Sequence, residues 1–124
     1  SKVGIFKIMN FNLEKVTQSL KPLLLSNVEI RTDKKLLKRG QLKLFQIKQY
    51  NVFLTLEYEG KTKNLELPYP FRIEPREDSI VFNYELSAFI PDKNAIFVKC
   101  MDSSSKSKLY DNLLYFLIKD NHTV

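Results

Sequence analysis

The fifteen residues at positions 34–48, KKLLKRGQLKLFQIK, carry Lys34, Lys35, Lys38, Arg39, Lys43 and Lys48, and no carboxylate follows until Glu57. Ammonium and guanidinium groups gathered this closely are suited to one chemistry: holding anions through charge and hydrogen bonds. The whole chain has 20 basic and 14 acidic residues, a net charge of +6. The stretch supplies six of those cations, so the remainder of the chain is balanced, 14 against 14. The implied partner is an acidic macromolecule, protein or nucleic acid. Against this, 16 of the 20 basic residues are Lys, and the stretch holds a single Arg. Lysine attracts as a point charge, whereas arginine grips phosphate with two parallel bonds. The plain alternative is a strand face that is only solvated.

Catalytic constellations are scarce. His122 is the only histidine and stands near the C-terminal end, so no Ser or Cys nucleophile has an internal histidine to activate it. Cys100 shares strand parity with Ile96 and Val98 and reads as a buried, inert thiol. Replacing Cys100 or His122 is therefore expected to leave any activity unchanged. A single cysteine also leaves nothing for an internal disulfide or a cysteine metal site, and a reducing, cytoplasmic-type compartment is expected. With three glycines in all, no phosphate-cradling loop is present. Glu59-Gly60-Lys61 has the Glu-x-Lys form of metal-dependent nucleases, with Asp33 as an upstream carboxylate, but it sits where a hairpin tip is expected. Glu74, Glu77 and Asp78 fall in another turn. The expectation is a non-catalytic domain with no cofactor and no metal site, and a carboxylate metalloenzyme is the remotest alternative. Specific nucleic-acid motifs are missing too: Gln41 follows Arg39-Gly40 where an RNA-recognition strand needs an aromatic.

The elements that must position these residues follow from hydrophobic period. VGIFKIM at the start reads as a short strand. Leu13, Val16 and Leu20 fall at helical spacing behind Asn12, and Pro22 ends that helix. Val52, Leu54, Leu56 and Tyr58 alternate with Phe53, Thr55 and Glu57, and Leu65 and Leu67 return after the turn, which makes a hairpin. Ile80, Phe82, Tyr84 and Leu86 alternate in the same way, and AIFVKCM adds a further strand. Pro68, Pro70 and Pro75 mark an edge or corner, with Tyr69 and Phe71 held outward. In QLKLFQIK the parity changes between Leu44 and Phe45, so a bulge is expected there. It would put Leu42, Leu44 and Ile47 inward and Lys43, Gln46 and Lys48 outward. Lys34, Lys35, Lys38 and Arg39 would then crowd the turn before Gly40, with Lys61, Lys63 and Lys108 outside the patch as a comparison set. Leu109, Leu113, Phe116 and Leu117 form the inner stripe of a closing helix.

Together these predict one α+β domain over residues 1–124. Its antiparallel sheet has five to six strands, with an N-terminal helix and a C-terminal helix packed on one face. That order resembles, at the level of fold alone, the helix-grip binders of small apolar ligands. The resemblance implies a cavity lined by residues such as Phe82, Tyr84, Phe97 and Phe116. No apolar run reaches the length of a membrane-spanning helix. The opening SKVGIFKIMNFN, broken by Lys7 and Asn10, makes a poor signal peptide.

Overall fold

A computed structural model of the chain describes residues 12–84 and 94–103, together with Leu109, Asp111 and Leu114. A short helix, α1, occupies 12–20, and Pro22 converts its end into a single 3-10 turn, Lys21–Leu23. Seven strands follow: β1 (Asn27–Arg31), β2 (Leu36–Lys48), β3 (Asn51–Tyr58), β4 (Lys61–Pro68), β5 (Arg72–Pro75), β6 (Ser79–Asn83) and β7 (Ala95–Cys100). They make one sheet in the order β4-β3-β2-β1-β7-β6-β5, with every neighbouring pair antiparallel.

This corrects the expected α+β domain of five to six strands between two helices. The described sheet has seven strands rather than five to six, the one continuous α-helix among the described residues is short, and no C-terminal helix stands in the element order, although Ser103, Leu109, Asp111 and Leu114 are each helical. One of the additional strands is β1, whose pairing partner has no strand pattern of its own. Residues 36–41 look like a charged turn, yet β1 pairs with them from Asn27↔Gln41 to Arg31↔Leu36 and makes them the first half of a 13-residue strand. The strand expected at VGIFKIM lies outside the described residues. So do Leu113, Phe116 and Leu117, whereas Leu109 is buried in the core.

The sheet cannot be flat. Its two edge strands, β4 and β5, are joined by only Tyr69, Pro70 and Phe71. Six inter-strand spacings of about 4.8 Å would separate the edges by about 29 Å, while four Cα–Cα steps reach about 15 Å at most. The sheet must therefore curl until its edges approach each other. A contact at the seam agrees: the Tyr84 hydroxyl, just past β6, donates to the carbonyl of Pro68 at the end of β4 at 2.9 Å. Asn12 of α1 donates its side-chain amide to the Phe71 carbonyl at 2.7 Å, tying the helix to the same corner.

The concave side holds the core. Val28 and Ile30 of β1, Leu42 of β2, Val52, Leu54 and Leu56 of β3, Ile80 and Phe82 of β6 and Val98 of β7 enclose Val16 and Leu20 of α1, Leu23 and Leu109. Alternation on β3, β6 and β7 places these residues as the sequence pattern requires. The bulge in β2 is real but falls one residue early. Leu42 faces Leu56 and Leu44 faces Thr55, so Lys43 is the extra residue. Leu44 consequently turns outward, while Phe45 and Ile47 pack against the core. At the corner Phe71 is exposed as expected, but Tyr69 is half-buried against the core.

Candidate anion-binding cleft

Two strand pairings build a strongly basic concavity. β1 holds the start of β2 in place through Glu29↔Arg39 and Ile30↔Lys38. On the other side, β3 and β4 are closed by the two-residue turn Glu59-Gly60, both with left-handed backbone (φ 51° and 78°). That is the hairpin turn whose twist matches the strands it joins. It sets Tyr58 opposite Lys61 and Leu56 opposite Lys63. Lys38, Arg39, Lys61 and Lys63 then line one cleft of about 350 Å³, floored by Leu37 and Leu56 and flanked by Tyr58 and Glu59. Four cations thus face one carboxylate.

Two of the cations are held in place. The Arg39 guanidinium lies over the Tyr58 ring, 4.5 Å from its centre, an arrangement that attracts the cation to the ring face and orients the guanidinium plane. Lys38 is half-buried, and its ammonium donates to the backbone carbonyl of Asn64 on β4 at 3.5 Å. Gly40 makes the close approach of β2 and β3 beneath them. A Cβ there would lie 2.7 Å from the Glu57 carbonyl oxygen, and its φ of 152° is one that side-chain-bearing residues rarely adopt.

The six cations expected to form the patch are not one surface. Lys38 and Arg39 enter the cleft. Lys34 and Lys35 lie exposed in the β1–β2 loop, where the Thr32 hydroxyl accepts from the Lys35 amide at 3.0 Å. Lys43, the bulge residue, pairs with Glu57 at 3.7 Å. Lys48 ends β2, ten residues or about 33 Å of strand from Lys38, and its ammonium sits 4.9 Å from the centre of the Phe53 ring. The residues that complete the cleft are Lys61 and Lys63, two of the three lysines expected to lie outside the patch; the third, Lys108, lies outside the described residues. The hairpin register places them there: Lys61 and Lys63 stand opposite Tyr58 and Leu56.

Other candidates resolve differently. Glu59-Gly60-Lys61 is the hairpin tip, and no group of three or more His, Cys, Asp or Glu side chains comes together among the described residues. Cys100 is buried, with its thiol directed to the Asp102 carbonyl at 3.2 Å. Phe82 points into the core, whereas Phe97 pairs with Val81 on the other face, under the Arg76 guanidinium at 5.7 Å, so the two do not line one cavity. A second concavity of about 250 Å³ includes Arg31, Arg76, Lys99, Asp33 and Asp78. Its charge is largely spent internally, because Arg31 pairs with Glu29 at 3.3 Å and Arg76 with Glu74 at 3.5 Å. No helix of the described residues is long and apolar enough to cross a membrane. No protein-family model, characterised protein or solved structure matches this chain.

Proposed function

We propose that this chain is a non-catalytic binding domain that engages an acidic partner, protein or nucleic acid, through the cleft of Lys38, Arg39, Lys61 and Lys63. One observation carries the reading: two strands not adjacent in the sheet deliver four cations to a single concavity with one carboxylate at its rim. Like charges brought together repel one another, and a bound polyanion relieves that repulsion. The volume, about 350 Å³, is at the small end for ligand sites. It suits a phosphate-bearing nucleotide or a pair of carboxylates from one segment better than a duplex.

Binding of a single-stranded oligonucleotide and of inorganic polyphosphate tests this. If about three phosphates are neutralised on a single strand, log affinity falls with a slope near −2 against log salt, roughly fifteenfold between about 50 and about 200 mM. Reversing Lys38, Arg39 and Lys61 to Glu is expected to abolish binding of both probes. Reversing Lys34, Lys35 and Lys48, which lie elsewhere, is expected to weaken it only a few-fold. Equal losses from the two triple variants would show diffuse attraction and sink the cleft as a site.

A further inference from the structure

We propose that the edge of β4 left unpaired among the described strands receives an acidic, extended protein segment as an added strand. This rests on the cleft reading above and names the partner. β4 stands at the end of the sheet and pairs only with β3 among the described strands, and its residues from Lys61 to Asn64 are exposed. The two-residue turn makes Tyr58 and Lys61 the closing hydrogen-bonded pair, so alternate residues after Lys61 aim their backbone groups away from β3. Those residues are Thr62, Asn64 and Glu66. Pro68, which has no amide, stands at the next such position and ends the row.

The edge carbonyl of Asn64 already has a placeholder. The Lys38 ammonium reaches it at 3.5 Å. An incoming strand would donate its own amide to that carbonyl and so free the ammonium for a carboxylate on the same strand. Lys61 and Lys63 lie two residues apart in the same cleft as Lys38, so they face side chains two apart on an added strand. Leu65 and Leu67, further along that parity, pack on the core. The matching antiparallel segment has apolar side chains at alternate positions, followed by two carboxylates at alternate positions. Nucleic acid fits this edge poorly, because phosphates accept but do not donate, which leaves the edge carbonyls unmatched. Lysine on an edge strand also discourages pairing with another copy of itself, which favours a partner of opposite charge.

The test uses the full chain and a synthetic eight-residue peptide, alternating valine and threonine and ending with two glutamates two positions apart. Affinity is read by fluorescence anisotropy beside that of polyphosphate. Three results are expected. The peptide binds. Thr62→Pro, which removes an outward amide and keeps all four cleft cations, weakens the peptide at least tenfold while polyphosphate binding stays within twofold. Methylating the peptide amides that would face β4 also weakens binding at least tenfold, a readout that does not depend on how any variant folds. Retained polyphosphate binding with no peptide binding, or with equal binding of the methylated peptide, overturns the strand addition and leaves the cleft standing. Loss of both ligands from the native chain overturns both.

Discussion

Gly40 and Gly60 have left-handed backbones for different reasons, and substitution separates them. Alanine at Gly40 meets the Glu57 carbonyl oxygen at 2.7 Å as well as an unfavourable φ, whereas nothing lies within 4 Å of a Cβ at Gly60. Gly60→Ala therefore carries only the conformational cost, about 1 kcal/mol. Gly40→Ala must also push apart two central strands, at a cost of about 2–4 kcal/mol. Urea melts of the two variants check this, and equal midpoints would contradict it. Because Gly40 lies beside Lys38 and Arg39, its substitution is also expected to weaken polyanion binding at temperatures where the fold persists. The cleft depends on a backbone approach that no side chain allows.

At the scale of the element, β2 shows what its bulge does. Lys43 is the extra residue: Leu42 and Leu44 already face consecutive residues of β3. Deleting Lys43 should restore plain alternation without moving any partner, and stability should change by no more than about 1 kcal/mol. Deleting Gln46 is a different operation. Ile47 would then take an outward position and Lys48 an inward one, since a one-residue slip exchanges the faces of a strand. Losing the burial of Ile47 and turning a lysine inward costs roughly 2–4 kcal/mol. Thermal denaturation of the two deletion variants decides the matter: the first melts near the parent, the second far below it. A reversed order would mean that the bulge lies elsewhere.

For the whole molecule, two measurements probe how the curled sheet is closed. Leu109 is fully buried among residues of α1 and the sheet. Leu109→Ala is expected to cost about 2–5 kcal/mol, a large share of the 5–15 kcal/mol typical of a domain. Deleting everything after Ser105 removes Leu109 with the rest of that segment and should abolish the cooperative transition. A truncated chain with an unchanged melting midpoint would refute this. The second measurement is alkaline. Burial pushes the Tyr69 hydroxyl up to about 12 and raises that of Tyr84 as well. Both exceed the value of about 10 for a tyrosine in the unfolded chain. Between these values the unfolded state releases protons that the folded state retains, so stability falls as pH rises. The contribution is complete below about pH 10 and is lost as pH climbs through about 12. Absorbance of ionised tyrosine should show a late-titrating fraction among the six tyrosines, released with unfolding. Replacing Tyr84 with Phe removes part of that dependence and forfeits the bond to Pro68 across the seam.

What the sequence determined by itself was local. Val52 to Leu67 read as a hairpin because alternation and a glycine turn are properties of neighbouring residues, while the register Tyr58↔Lys61 is fixed by the two-residue turn of the structure. The inward parity of Ile80, Phe82, Val98 and Cys100 was equally legible. The tertiary structure decided what depends on distant pairing. Residues 36–41 have no alternation of their own: Leu36 and Leu37 are followed by Lys38, Arg39, Gly40 and Gln41. Their strand state comes from pairing with β1, which β3 joins only at Gln41. The cleft has the same origin. Lys38 and Lys63 are 25 positions apart in sequence and lie on strands separated by β3. In the curled sheet the Lys38 side chain reaches across β3 to the carbonyl of Asn64. Charge could be counted along the chain, but where it gathers depends on curvature, which is set by closure of the whole sheet.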